Sequence, residues 1–314
     1  MTWPTGLVTA IPSPAQGVWH LGPFPVRAYA LCILAGIVVA VGWANRRWVA
    51  RGGRAGAIAD MAIWAVPAGI VGARLYNVIT DPELYFAPGR NPWDAFAVWH
   101  GGLGIWGGVA GGALGARYAC RRYLLRFSDL AWTVAPTLPV AQAIGRLGNW
   151  FNQELYGRPS TLPWALLIDP AHRPAATPLA TTYQPTFLYE LLWDLGVAAL
   201  VVWVQRRFRL SGWASFALYV AAYTAGRGWI EALRDDYAHR ILGLRINDWT
   251  SILLFLAAAV ALAVLRRRPP PGNFGPAPTA VTAAATEPAV PGNTPDGAPM
   301  SLERPAGPPP PPPG

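Results

Sequence analysis

Seven stretches of mostly apolar residues, each close to the length of a membrane span, run through the chain and constrain its fold more than any other feature. A helix needs about 20 apolar residues to cross the hydrocarbon core of a bilayer. Backbone in lipid must also satisfy its own hydrogen bonds, which favours helices. The stretches cover residues 28–45, 57–79, 101–119, 129–148, 186–205, 212–233 and 248–265. We therefore predict an all-α polytopic membrane protein with about seven transmembrane helices.

The charge of the chain fits this class. Only 13% of the residues are charged, whereas a soluble domain carries roughly 25%. The net charge of +9 could indicate a nucleic-acid partner, but every basic side chain is an arginine, and most lie in short clusters between apolar stretches. This distribution is typical of membrane topology and not of a nucleic-acid-binding face.

The arginine clusters also predict the orientation. Fifteen arginines lie in the tail or in the loops after the first, third, fifth and seventh stretches, and seven lie on the opposite side. By the positive-inside rule the first side is cytoplasmic, so the N-terminus is outside and the C-terminus inside. Pro136 and Pro139 predict a kink in the fourth span.

Three domains follow from this topology. Residues 1–27 form an extracytoplasmic segment, and residues 28–268 form a seven-helix membrane domain with a small outer cap over 149–185. Residues 269–314 are rich in Pro, Ala, Gly and Thr. Such a composition cannot bury enough apolar surface to order itself, so we predict a disordered cytoplasmic tail.

Three arginines, Arg74, Arg146 and Arg227, lie inside or at the ends of apolar stretches. An arginine at membrane depth costs several kcal/mol unless it finds an anion, carbonyl groups or water. The phosphate of a phospholipid would supply such an anion, and arginine is well suited to bidentate phosphate contacts. These residues therefore indicate a site for an anionic lipid.

The segment that carries Arg146 reads GRLGNWFNQELYGRP over residues 145–159. Arg146 and Asn149 are three residues apart and share a helix face, and Glu154 follows within reach. Gly145 and Gly148 allow the backbone to approach a ligand or another helix closely. The alternative is a polar helix end whose side chains only satisfy each other.

The segment that carries Arg227 reads YTAGRGWIEALR over residues 223–234. Tyr223, Arg227 and Glu231 form one stripe of a helix, because they are spaced by four residues. A purely structural Arg227–Glu231 ion pair is the alternative. It does not explain a second intramembrane arginine in the fourth span.

Residues 145–159 resemble the signature of the prolipoprotein diacylglyceryl transferases, and the stripe with Arg234 is similar to the second arginine-bearing helix of that family. Weaker matches run in the same order over roughly residues 25–265. They are Tyr29, residues 99–103 (WHGGL) and residues 184–190 (QPTFLYE).

The resemblance implies an enzyme of the bacterial cytoplasmic membrane with its active site near the extracytoplasmic leaflet. It would move the sn-1,2-diacylglyceryl group of phosphatidylglycerol to the lipobox cysteine of a prolipoprotein, forming a thioether and releasing glycerol 1-phosphate. No cofactor and no metal are implied. The expected catalytic residues are Arg146, Arg227 and Tyr223. The expected substrate-binding residues are Tyr29, His100, Asn149, Asn152, Glu154, Gly157 and Glu231.

The chain departs from the pattern of this family at three positions. Some members have a histidine after the Gly-Gly pair, where a general base has been proposed, but this chain has Trp106 there. The resemblance therefore leaves the acceptor of the thiol proton unassigned. Gln153 stands where glycine is frequent, and Gln184 where histidine is frequent.

Two further expectations concern packing. The third stretch contains small-xxx-small ladders of glycine, which predict close contact with another helix. Arg74 either reaches the same chamber as the other two arginines or pairs with a carboxylate such as Glu190 or Asp194.

The main alternative function is a membrane transporter or flippase for an anionic lipid, in which buried charges would line a path. Internal repeats are typical of such proteins, and the two arginine segments are not similar in sequence.

Overall fold

The structure is a computed structural model that describes residues 10–22, 24–175, 177–234, 240–272 and 274. Most of the predicted tail, from residue 275 onwards, and the first nine residues of the predicted N-terminal segment lie outside the described residues.

The described part of the chain contains nine α-helices. They are α1 (Ala28–Val49), α2 (Ala57–Thr80), α3 (Glu83–Phe86), α4 (Ile105–Arg122), α5 (Phe127–Val134), α6 (Thr137–Asn152), α7 (Thr186–Phe208), α8 (Gly212–Glu231) and α9 (Ile246–Leu265). Among the described helices, α1, α2, α7 and most of α9 are long and apolar enough to cross a membrane. The helical character and the membrane class predicted from the sequence are thus confirmed.

The predicted fourth span is divided into α5 and α6 at Ala135 and Pro136. Pro136 has no amide hydrogen to donate to a preceding carbonyl, which ends the helical hydrogen bonding of α5. Pro139 lies in the first turn of α6, where an amide hydrogen has no intrahelical partner in any case. The two prolines therefore produce a break between two helices, and not only a bend.

The ends of α7 and α8 have clear local causes. α7 begins directly after Pro185, and it ends at Arg209, which adopts a left-handed conformation with φ of 51°. The hydroxyl of Ser211 then accepts a hydrogen bond from the amide of Ala214 and caps α8. A short connection at these residues makes α7 and α8 antiparallel neighbours.

Three short two-stranded antiparallel sheets accompany the helices in the described chain. They pair β1 (Val18–Leu21) with β2 (Phe24–Arg27), β3 (Leu166–Leu167) with β4 (Thr182–Tyr183), and β5 (Arg240–Ile241) with β6 (Leu244–Arg245). The sheet of β3 and β4 lies in the connection between α6 and α7. The N-terminal segment joins this connection through a bridge between Ile11 and Leu166.

Glycine residues bring α2 and α4 into backbone contact. A Cβ atom added to Gly72 would collide with the carbonyl oxygen of Gly107, and one added to Gly107 would collide with the carbonyl of Gly72. Gly111 has the same relation to the carbonyl of Ala68. The packing role predicted for the glycine ladder is therefore confirmed.

Large apolar side chains cover the outward faces of several helices. Leu34 and Val38 of α1 and Leu253 and Val260 of α9 are each more than half exposed. Large apolar side chains exposed along whole helices are unfavourable in water, and they are the side chains that a membrane helix presents to lipid.

The segment that follows α9 packs against the helices at the C-terminal end of α1. Phe274 is buried, and its ring centroid lies 4.6 Å from that of Trp48 and 5.8 Å from that of Trp132. Its amide donates to the carbonyl of Arg51. This contact belongs to the segment predicted as tail and attaches its beginning to the helices.

Candidate active site

Helix α6 supplies the first arginine of the site. Arg146 lies on the face of α6 towards α7 and α8, and its Nε donates to Oε2 of Glu190 at 2.7 Å. One of its terminal nitrogens lies 3.5 Å from the hydroxyl oxygen of Tyr223. The neighbouring Gly148 leaves room for Tyr29, because a Cβ atom there would lie 2.5 Å from Cδ2 of the Tyr29 ring.

Helix α8 supplies the second arginine. One terminal nitrogen of Arg227 lies 2.5 Å from Oε1 of Glu190, and the other lies 2.8 Å from Oε2 of Glu231. Glu190 of α7 therefore bridges two guanidinium groups that come from different helices. The three side chains are largely buried, so their charges interact with little screening by water.

Glu231 is the centre of a second ion cluster and is fully buried. Besides Arg227, it pairs with Arg234 at 3.4 Å and with Arg245 at 3.1 Å, and it accepts a hydrogen bond from Asn247. Removing one partner of such a buried cluster is costly, because it leaves an uncompensated charge. Glu231 thus fixes one side of the Arg227 guanidinium.

Glu154 ties the C-terminal end of α6 together. Its carboxylate accepts hydrogen bonds from the side-chain amides of Asn149 at 3.0 Å and Asn152 at 3.2 Å. Tyr29 lies close enough to interact electrostatically with both Glu154 and Arg146. These residues form a polar wall beside the arginine pair.

Gln153 stands where glycine is frequent in the family pattern, and its surroundings explain how a glutamine fits there. Gln153 has a φ of 51°, in the left-handed region that glycine adopts at no steric cost. Its side chain donates to the Asp169 carboxylate at 2.6 Å and accepts from the Asp169 amide at 2.8 Å. These bonds offset the strain and tie α6 to the connection that follows it.

A small cavity lies at the meeting point of α6, α7 and α8. It is bordered by Arg146, Glu190, Trp193, Asp194, Tyr223, Arg227 and Ile230. It has room for about one water molecule. In this conformation a phospholipid headgroup therefore does not fit, and the Glu190 carboxylate occupies the position between the two guanidinium groups.

The structure brings together most of the residues predicted for the site. Arg146, Tyr223 and Arg227 border the cavity, and Glu231 holds Arg227. Tyr29, Asn149, Asn152 and Glu154 form the polar wall.

Of the two remaining predicted residues, Gly157 contributes backbone contacts. Gly157 lies at the rim, where its amide donates to the carbonyl of Gln184 and its backbone pairs with Arg234. A Cβ atom there would lie 2.7 Å from the carbonyl oxygen of Leu233, so this close approach needs glycine. His100 ends a 3-10 helix, Val98–His100, and its side chain lies outside the described part of the structure.

The expectation for the partners of Arg74 was wrong. Arg74 donates to backbone carbonyls of the segment after α3, namely those of Asp94, Ala95, Gly101 and Gly102. Its guanidinium also lies over the ring of Tyr85. Among the described residues it pairs with no carboxylate, because the segment between α3 and α4 folds over it and supplies carbonyl oxygens instead.

Sequence reasoning did not assign Glu190 and Asp194 to the site. The signal was present, because two carboxylates one turn apart interrupt an otherwise apolar helix, and such groups need a cationic partner in a membrane. The spacing within α7 could not show that the partners of Glu190 lie on α6 and α8.

The fold and the site together define a helical membrane protein in which arginines from two helices meet on a buried carboxylate beside a small chamber. The sequence profile of the family described as prolipoprotein diacylglyceryl transferase matches residues 16–264. The chain belongs to this family, as the signature in α6 predicted.

Three named relatives are similar in sequence to this chain over most of their length. The phosphatidylglycerol–prolipoprotein diacylglyceryl transferase 2 of Streptomyces coelicolor is 59% identical over 260 residues, which are 83% of this chain and 82% of that protein. The phosphatidylglycerol–prolipoprotein diacylglyceryl transferase of Streptomyces griseus is 58% identical, over 81% of this chain and 77% of the relative. The one from Frankia alni is 58% identical, over 82% and 68%.

Proposed function

We propose that this protein transfers the sn-1,2-diacylglyceryl group of phosphatidylglycerol to the lipobox cysteine thiol of prolipoproteins, forming a thioether and releasing glycerol 1-phosphate. The observation that carries the proposal is the convergence of Arg146 and Arg227 on one carboxylate at the chamber. Family membership and the names of the relatives support the substrates.

The two arginines have donors to offer to a phosphate. A guanidinium carries five N–H groups, and the described contacts engage two nitrogens of Arg146 and two of Arg227. A phosphodiester that enters between them binds to the remaining N–H groups and competes with Glu190 for the others. Glu190 thus holds the two guanidinium groups next to each other while the lipid is absent.

Charge stabilisation is the main catalytic contribution that we assign to the protein. The substrate supplies its own nucleophile, the cysteine sulfur, so the enzyme needs no catalytic cysteine. The departing glycerol phosphate gains negative charge as its bond to the glyceryl carbon breaks. Arg146 and Arg227 stabilise that charge in a site that is poor in water, where such interactions are strongest.

The other residues orient the reactants. Tyr223, beside Arg146, positions the headgroup. Asn149, Asn152 and Glu154 orient the glycerol hydroxyl groups, and Tyr29 packs beside them. We assign no metal or organic cofactor to this reaction.

We place the chain in the bacterial cytoplasmic membrane with about seven spans, its N-terminus outside and its C-terminus inside. The distribution of the arginines supports the orientation, and contacts at the two ends of the bundle agree with the grouping of segments on two sides. At one end, the side chain of Gln153 donates to the carbonyl of Pro14. At the other, Arg47 near the end of α1 donates to Gln205 near the end of α7. The chamber lies nearer to the first end, the extracytoplasmic one in this topology.

A reconstitution assay tests the proposal. Purified protein is incubated with phosphatidylglycerol and a lipobox peptide, and the peptide is analysed by mass spectrometry. A diacylglyceryl thioether is expected. The same peptide with serine in place of cysteine should remain unmodified. Movement of phospholipid across a vesicle bilayer without any covalent product would favour the flippase and overturn the proposal.

A further inference from the structure

The transfer needs an acceptor for the proton of the substrate thiol. A cysteine thiol has a pKa near 8.5, so most of it is protonated at neutral pH. An acceptor must present an oxygen or nitrogen lone pair that no other group already occupies. The histidine proposed as a base in some members of the family is replaced here by Trp106.

Most carboxylates around the chamber are already engaged. Glu190 accepts from two arginines, one on each oxygen. Both oxygens of Glu231 pair with arginines. Glu154 accepts from two asparagine amides on Oε1, and it is not among the described residues that border the cavity. Each of these side chains holds other residues in place, and protonating it would weaken those contacts.

Asp194 is different. It lies one turn after Glu190 on α7, is only 2% exposed and borders the chamber. Its Oδ2 atom is buried and has no hydrogen-bond partner among the described residues. A buried carboxylate oxygen without a partner costs free energy that a purely structural residue would not need to retain. This oxygen is available to a proton that arrives from the chamber.

Charged and titratable groups face Asp194 from all three helices of the chamber. They are Arg146 on α6, Glu190 on its own helix, and Tyr219 and Arg227 on α8. Tyr223 borders the same cavity. The arginines attract the carboxylate charge and Glu190 repels it, so Asp194 lies in the field of the groups that would bind the lipid phosphate.

We propose that Asp194 is the catalytic proton acceptor, an inference that rests on the transferase function proposed above. The thiol proton passes to Oδ2 of Asp194, directly or through the one water molecule for which the cavity has room. The sulfur electron pair forms the bond to the glyceryl carbon. The bond from that carbon to the phosphate oxygen breaks, and its electrons remain on the oxygen. Asp194 then returns the proton to glycerol phosphate and regains its charge.

The test measures pH–rate profiles of the wild-type protein and the Asp194→Asn variant with the lipobox peptide and phosphatidylglycerol. The variant depends on thiol that has ionised in solution, so its rate should rise about tenfold per pH unit up to the thiol pKa. Its deficit should be about 100-fold near pH 6.5 and only a few-fold near pH 9.5. The apparent KM for phosphatidylglycerol should change little.

A second substrate separates proton removal from structure. A lipobox peptide with selenocysteine carries a selenol that is already ionised at neutral pH. With this peptide the deficit of Asp194→Asn should largely disappear at pH 6.5. The Asp194→Glu variant retains a carboxylate and should keep a shallow pH profile at a reduced rate, which provides a test if Asp194→Asn does not fold.

Asp129→Asn is the matched control, since it changes a carboxylate that is similarly buried on α5, outside the chamber. It should keep the wild-type rate. A deficit in Asp194→Asn that is equal at every pH and equal with selenocysteine would overturn the proposal, as would full activity. Absence of thioether product from the wild-type protein would instead reject the transferase function itself.

Discussion

The α2–α4 region and the α6–α7–α8 region both bury arginine side chains, but they satisfy them in different ways. Arg74 of α2 donates to backbone carbonyls of one folded segment. Arg146 and Arg227 meet instead on a side-chain carboxylate, Glu190. Backbone carbonyls are fixed by the fold, whereas a side chain can move aside when another anion enters. The partner of a buried arginine, more than its depth, therefore separates a structural role from a binding role.

The largest expected effect on activity concerns Arg146 and Arg227, the two arginines that share Glu190. Arg146→Ala and Arg227→Ala should each reduce the rate of thioether formation by about 10²–10³-fold, because each removes a donor to the departing phosphate. Lysine at either position should restore little activity, since it lacks the planar fork of arginine. Initial rates per folded protein, with folding checked by size-exclusion chromatography, measure the effect.

Arg54→Ala is the control for this pair, because Arg54 is well exposed and pairs with Asp60 outside the chamber. It should leave the rate unchanged. If both chamber variants kept more than about a tenth of the wild-type rate, the loss would be too small for direct phosphate stabilisation.

Arg74→Ala should lower the stability of the protein and leave its activity nearly unchanged, the reverse of the effect expected for Arg146 and Arg227. The substitution leaves buried carbonyls without a donor, so the unfolding midpoint should fall by roughly 5–10 °C. Activity per folded molecule should stay within a few-fold of the wild type. Thermal unfolding in detergent and the transfer assay measure the two quantities. Wild-type stability combined with lost transfer would assign Arg74 to the site.

Gly72→Ala tests whether the α2–α4 contact is structural. The added methyl group collides with the carbonyl of Gly107, and such overpacking should destabilise the protein by about 1–3 kcal/mol. Gly196→Ala on α7 is the matched control, because a Cβ atom there meets nothing within 4 Å. The control should unfold at or slightly above the wild-type temperature. Equal midpoints for the two variants would contradict the close packing of the helices.

Gly148→Ala makes the same substitution beside the site and should have the smallest effect. Its methyl group would displace the Tyr29 ring and lie 3.2 Å from the Cα atom of Tyr29. We expect kcat/KM to fall about tenfold and the unfolding midpoint to fall less than in Gly72→Ala. Gly42→Ala, on the helix that carries Tyr29, has open space around the new methyl group and should behave like the wild type. Loss of stability without loss of activity would show that Tyr29 only packs.

The sequence predicted the helices well because the apolar stretches have the length of a bilayer crossing. The start of α7 was predicted correctly at Thr186, and α1 begins at Ala28 as expected. The fourth span was harder, because Pro136 and Pro139 lie close together and periodicity does not say whether a helix bends or ends there. Among the described helices, the four that qualify as spans by length and composition do not include α4, α6 or α8.

The sequence predicted most of the residues of the site, but it did not predict which of them form ion pairs or hydrogen bonds with each other. The spacing of Arg227 and Glu231 on one helix predicted their contact, and the structure contains it. The bridge through Glu190 depends on how α7 packs between α6 and α8, which no spacing within one segment reveals. The carbonyl partners of Arg74 lie 20 to 28 residues away in irregular chain, so no pattern indicated them.

An experimental structure with bound phosphatidylglycerol would test the shared arginine pair most directly. We expect the lipid phosphorus between Arg146 and Arg227, with phosphate oxygens about 2.7–3.2 Å from nitrogens of both guanidinium groups. Glu190 should have given up at least one of its two contacts. A phosphate bound elsewhere, with the Arg146–Glu190–Arg227 bridge intact, would contradict the proposed mechanism.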